Sequence, residues 1–170
     1  MQSNKIRKIT LASVMAALTC VATMLIRIPT PTKGYVNLGD CIVNISAWLL
    51  GPVWGAAAAG FGSAAADLFA GYVMYAPATL VIKSLMAVVC FKIFDLTGKK
   101  FHSLPARIIS AASAEIVMIL GYFLFETVVY GSAVTASLGI VGNLFQGVMG
   151  TVSSVILYEA VIRRIPVKKV

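Results

Sequence analysis

Residues 41–66 read CIVNISAWLLGPVWGAAAAGFGSAAA, a run of 26 residues without a charged side chain. A helix crossing the hydrocarbon core of a bilayer takes roughly 20 mostly apolar residues. The run is too long for one span, so it must contain its own break. Gly51-Pro52 supplies one, because proline cannot continue a helix cheaply and glycine favours a cap. One helix ends near Leu50, short unless it begins before Cys41, and a second, rich in Ala, Gly and Ser, continues toward Asp67.

Outward from this run, residues 9–26, 68–82 and 127–158 also carry no charge. A mean hydropathy of +0.92 with 59% hydrophobic residues excludes an ordinary soluble domain. The expected fold class is an all-α membrane protein, a six-helix transmembrane bundle with spans at about 7–27, 40–54, 55–74, 77–96, 107–129 and 135–162. Eleven of the fourteen basic residues then fall on one side: Lys5, Arg7 and Lys8, Lys92, Lys99, Lys100 and Arg107, and Arg163, Arg164, Lys168 and Lys169. The other side receives Arg27 and Lys33, and Lys83 lies inside a span. The positive-inside rule places both termini in the cytoplasm, in a multi-pass protein of a prokaryotic plasma membrane. The first span is long for the apolar part of a signal peptide and five more follow it, so it reads as uncleaved. Residues 1–170 form a single domain. The net charge of +8 is accounted for by topology and anionic lipid, with no nucleic acid.

Little in the chain suggests catalysis. Cys20, Cys41 and Cys90 sit at different depths, too far apart for one tetrahedral metal or a disulfide. His102 stands alone in the link between the fourth and fifth spans. HExxH, GxSxG and Walker A patterns are all absent from the sequence. The chain reads as neither an enzyme nor a cofactor protein, and uphill movement draws on an ion gradient or a partner chain.

Polar residues inside the spans carry the functional signal, since they are costly in hydrocarbon unless they face a cavity or one another. Lys83 lies roughly 9 Å below the outer end of the fourth span, and Asp67 of the third span lies at similar depth. Asn143 and Gln146 share one face of the sixth. Glu115, Tyr122 and Glu126 fall on one stripe of the fifth, within roughly 40°, Glu115 being the deepest and best suited to packing or a partner. These groups converge in the outer half, as in an outward-facing pocket for a small polar molecule. Two alternatives stay open: Asp67 and Lys83 form a structural pair or belong to the pocket, and Asn143 and Gln146 bind ligand or join helices. Tyr35, Tyr72, Tyr75 and Tyr130 read as an aromatic belt. The connection after the first span, IPTPTKGYVNLGD over residues 28–40, is stiffened by prolines and suits a lid. Asp40 is placed to cap the helix that follows.

The small-residue element Ala12-Ser-Val-Met-Ala16 suits either internal packing or a docked subunit. Together with six spans in 170 residues, the loop ending YVNLGD at 35–40, and LGPVWG at 50–55 before a small-residue helix ending in Asp67, it resembles a substrate-binding S component of an energy-coupling factor (ECF) vitamin transporter, in the group that carries riboflavin, hydroxymethylpyrimidine and pyridoxine. The resemblance implies a receptor that captures a vitamin or precursor outside the cell. It implies partners too, a transmembrane coupling subunit bearing two ATPase subunits, with Ala12 and Ala16 at the interface. Carried over, the binding residues are Tyr35, Asn37, Lys83, Tyr122, Glu126, Asn143 and Gln146. Pyridoxine or hydroxymethylpyrimidine is expected before the larger riboflavin. The alternative is a self-sufficient proton-coupled secondary transporter or channel using Asp67, Glu115 and Glu126, although the chain lacks the internal repeat many such transporters carry.

Overall fold

The computed structural model describes residues 2–98 and 103–164, with side chains from Lys5 onward. Lys99, Lys100, Lys168 and Lys169 of the basic set, and His102, lie outside the described residues. Five helices follow in order: α1 (Gln2–Leu25), α2 (Gly39–Phe69), α3 (Ala76–Gly98), α4 (Ser103–Tyr130) and α5 (Ala133–Ala160), with a 3-10 turn at Ile162–Arg164. Two short strands, β1 (Arg27–Pro29) and β2 (Tyr35–Asn37), join α1 to α2. Among the described residues four helices, α1, α2, α4 and α5, are long and apolar enough to cross a membrane. Phe61, Leu124, Val141 and Val148 point outward, while Thr19, Asn44, Asp67, Lys83 and Glu115 are buried. That distribution suits lipid, where an outer apolar surface costs nothing and polar groups must be satisfied inside.

The long charge-free run lies in α2, which is interrupted at Gly51 with φ 78° and ψ −174°. Only glycine adopts that backbone cheaply, and Pro52 stops the preceding helix from continuing. A Cβ placed on Gly55 would lie 3.0 Å from Ala47 Cα and 3.0 Å from Ser46 O. Eight residues of straight helix would separate those positions by about 12 Å. The chain therefore reverses at Gly51, and residues 52–69 return alongside 39–50. This reversal brings Asp40 and Asp67 to the same end, where both interact with Lys83. The turn itself borders a groove with Lys8 and Gly98 at the opposite end. α2 is the central element: 56% of its apolar window is buried, against 22–33% for α1, α4 and α5. Val43, Ile45, Met86, Ala114 and Met118 of α2, α3 and α4 form the middle of the core.

α1 buries one narrow stripe, Ala12, Thr19 and Thr23, with Ala16 partly covered between them. The spacing of four, three and four is that of a single helical face. Ala12 packs against Leu50 and Ala58, and the Ala16 carbonyl lies against Gly62. The small-residue element offered for a partner is thus engaged by the chain's own second helix, and Ala12 in particular, 7% exposed, is covered. Of the two uses the sequence left open for this element, internal packing is the one seen for Ala12 within the chain. The small side chains let the two backbones approach closely.

A correction concerns Arg107, read as a charge beside a connecting link. It is buried, 2.5 Å from Glu159 of α5, with its guanidinium 3.8 Å from the centre of the Tyr158 ring. It clamps α4 to α5 at the end of the bundle where α4 begins and α5 ends.

Candidate functional site

The connection between α1 and α2 is a β-hairpin, with Arg27 opposite Asn37, Ile28 opposite Val36 and Pro29 opposite Tyr35. Its turn closes through Thr30 N–H to Gly34 O at 2.9 Å, with Lys33 at φ 56°. The hairpin roofs a cleft between the helices with a cavity volume of about 30 Å³. All seven expected residues border it: Tyr35 and Asn37 from β2, Lys83 from α3, Tyr122 and Glu126 from α4, and Asn143 and Gln146 from α5. Thr23, Thr30, Ser63, Asp67, Tyr75 and Thr79 complete the polar wall.

The buried ion pair at this end is Lys83 with Asp40, not Lys83 with Asp67. Asp40 does not cap α2; that task falls to Asn37, whose Oδ1 accepts from Gly39 N–H at 2.8 Å. The Asp40 carboxylate turns inward instead. One oxygen takes Lys83 Nζ and the other accepts from Gln146 Nε2 at 2.6 Å. Gln146 Oε1 in turn accepts from the Asn37 backbone N–H at 2.8 Å and from Asn37 Nδ2 at 3.3 Å. Gln146, 2% exposed, thereby ties the hairpin to the ion pair. Asn143, on the same face, borders the cavity, and its side chain makes no hydrogen bond to another described residue. The two amides therefore have different roles.

The tyrosines are not a plain interfacial belt. Tyr35 donates to Asp67 Oδ1 at 2.5 Å and packs on Tyr72 with ring centres 4.6 Å apart. Tyr75 is 6% exposed, and its hydroxyl lies 2.5 Å from Thr32 O and 3.2 Å from Glu126 Oε1. Tyr130 donates to the same Thr32 carbonyl at 2.6 Å. Two phenols thus fasten the hairpin turn to the helices beneath it. Burial pushes the Tyr35 and Tyr75 phenols above their usual range, so both remain neutral donors near neutrality. Tyr122 pairs its hydroxyl with Thr79 Oγ1 at 3.0 Å, and Lys83 Nζ lies 5.6 Å from its ring centre.

Some polar atoms remain unmatched. Thr23 Oγ1, Ser63 Oγ, Asp67 Oδ2 and Glu126 Oε2 are buried atoms of residues that border the cavity, and they have no hydrogen-bond partner among the described residues. Such atoms are rare in a folded protein and usually mark a bound molecule or water. Glu115, expected deeper than the pocket, lies outside this cavity and accepts from Asn44 Nδ2 at 3.0 Å.

A family profile for the S component of the ECF-type riboflavin transporter matches residues 3–163. The chain belongs to that family. An uncharacterized protein in the gap 3′ region of Pyrococcus woesei is 36% identical over 138 residues, covering 81% of this chain and 86% of that one. The structure reported as that of the S component of a bacterial ECF transporter superposes with a TM-score of 0.67 at 16% identity, covering 94% of this chain and 97% of the other. The resemblance seen in the sequence is therefore correct at the level of the family, and the fold is that of an S component. This S component is a membrane-embedded transporter subunit, not an enzyme family member.

Several residues of its site escaped the sequence reading. Asp40 was assigned to capping, Tyr75 to the belt, and Thr23, Ser63 and Thr79 to nothing. Ser63 and Asp67 are four residues apart on one helical face of α2, so their shared orientation is a signal the sequence carries.

Proposed function

We propose that this protein is the substrate-binding subunit of an ECF-type ABC importer and captures a small hydroxylated nitrogen heterocycle at the outer side of the membrane. The observation that carries the reading is the convergence of four unpartnered buried polar atoms on one hairpin-roofed cavity. Tyr35, Asn37, Lys83, Tyr122, Glu126, Asn143 and Gln146 form the binding wall, with Asp67 beside them. Pyridoxine or hydroxymethylpyrimidine is preferred, because the free space within the cleft is narrow and its aromatic walls are tyrosines. Riboflavin is the second reading, favoured by the family description.

The topology we propose has six spans, with the Gly51 turn and both termini in the cytoplasm and the hairpin outside. A transmembrane coupling subunit and two ATPase subunits supply the energy, as in an ECF transporter. Part-buried Ala16 remains a candidate for contact with the coupling subunit, whereas Ala12 reaches it only if α1 shifts on α2. Native mass spectrometry of the protein as purified tests the binding role by detecting a small molecule. Co-isolation with ATPase subunits supports the importer; uphill uptake by the chain alone, without ATP, would instead establish the proton-coupled alternative.

A further inference from the structure

Asp67 and Glu126 are 4% and 3% exposed, and each has one satisfied oxygen. Tyr35 donates to Asp67 Oδ1, and the Tyr75 hydroxyl, whose proton is directed at Thr32 O, lies 3.2 Å from Glu126 Oε1, while Asp67 Oδ2 and Glu126 Oε2 have no hydrogen-bond partner among the described residues. The Thr79 and Thr32 hydroxyls lie beside these carboxyls and interact with them, but neither meets a hydrogen bond's geometry at Asp67 Oδ2 or Glu126 Oε2. Glu126 reaches its position because Gly139 has no side chain; a Cβ there would lie 2.6 Å from Oε2. Among the described residues the only cation bordering the cavity is Lys83, and Asp40 engages it. Arg27 and Lys33 are exposed on the hairpin. Asp67 and Glu126 thus share the cavity with two unpartnered hydroxyls, Thr23 Oγ1 and Ser63 Oγ, while the ammonium that borders it is engaged by Asp40.

An uncompensated carboxylate in a poorly solvated site costs several kcal/mol and is relieved by a proton or by a cation brought to it. An anion entering the same site would meet two like charges in addition to its own desolvation. Building on the substrate-binding reading above, we infer that the cavity selects its ligand by charge: Asp67 and Glu126 anchor a positively charged nitrogen, as a protonated heterocycle or an amine, and anionic vitamins are refused. Asn143, with an unused donor and acceptor, serves the ligand's remaining polar edge.

Pyridoxamine, pyridoxine and 4-pyridoxic acid test this, since they share a ring and differ at one substituent that is cationic, neutral or anionic. Each is titrated calorimetrically into the purified full chain near neutral pH, with riboflavin alongside, and into Asp67→Asn and Glu126→Gln, whose amides keep the acceptor used by Tyr35 or Tyr75. Pyridoxamine should bind about tenfold or more tightly than pyridoxine, as a charged hydrogen bond predicts, and pyridoxic acid should not bind. Both variants should narrow the preference for the amine while leaving the empty protein as thermally stable as the parent or more so. Acid binding as tightly as alcohol, or variants that leave the preference unchanged, would overturn the inference. If none of the four compounds binds but the variants stabilise the empty protein, the vitamin reading falls and the charge reading stands. If riboflavin binds and the variants alter neither affinity nor stability, the vitamin reading stands and the charge reading falls.

Discussion

Asn143 and Gln146 are one turn apart on α5 and look interchangeable by depth, yet only Gln146 is wired into the protein. A ligand-facing amide that is deleted leaves one polar ligand atom unpaired, at about 1–3 kcal/mol. Asn143→Ala should therefore weaken binding roughly 5- to 150-fold with little change in melting temperature, read by calorimetry and thermal scans in parallel. Gln146→Ala removes partners from Asp40 and Asn37 together, so it should lower both affinity and stability. A similar contrast applies to the ion pair. Lys83→Met should destabilise by about 3–5 kcal/mol, because Asp40 is left buried and unpaired, and adding Asp40→Asn should restore much of that loss in a double-mutant cycle. No recovery would mean that Lys83 is held by other groups. Depth along each span was legible by counting helical rise, which is why Lys83, Tyr122, Glu126, Asn143 and Gln146 border one cavity, whereas Tyr35 and Asn37 came with the family resemblance. Pairing was not legible: Asp40 meets Lys83 and Gln146 across separations of 43 and 106 residues, whereas capping is a local rule and drew the wrong assignment.

At the scale of elements, the hairpin is held at two points, Asn37 on Gln146 and Thr32 O under two phenols. Each neutral hydrogen bond contributes about 0.5–1.5 kcal/mol. Removing both hydroxyls in Tyr75→Phe/Tyr130→Phe should speed ligand dissociation roughly 5- to 150-fold while association changes little, measured by stopped-flow fluorescence. An unchanged dissociation rate would show that the hairpin does not retain the ligand. The α1–α2 seam gives a separate expectation. Ala12→Leu forces a larger side chain between Leu50 and Ala58, and overpacking of this kind costs about 1–3 kcal/mol. Lower thermal stability of the isolated subunit should therefore accompany any loss of assembly with partners, and full stability with lost assembly would return Ala12 to the interface. The stiff connection was readable from Pro29, Pro31 and Gly34, but its strand register was not, since only three residues pair on each side.

For the whole molecule, the decisive question is how far the reversed α2 reaches. Residues 39–50 span only about 18 Å as helix, less than the roughly 30 Å hydrocarbon core. The break at Gly51-Pro52 was legible in the sequence because Gly and Pro act locally. The reversal was not, because a kink and a turn share the same two residues, and only the packing of Gly55 on Ser46 and Ala47 separates them. Both a crossing turn and a shallow re-entrant one leave the chain ends on one side, so the termini alone cannot decide. Val53 can, being 73% exposed at the turn, in a groove that also holds Lys8 and Asp95. Charged neighbours place that groove at a polar surface, since buried in lipid they would be costly. In a background with Cys20, Cys41 and Cys90 replaced, Lys33→Cys should react with an impermeant maleimide on intact cells. Val53→Cys and Arg163→Cys should react only after permeabilisation. Labelling at Arg163 but not at Val53 in permeabilised cells would reduce the bundle to four full spans with a re-entrant α2, and outside labelling at Val53 would invert the proposed topology of that helix.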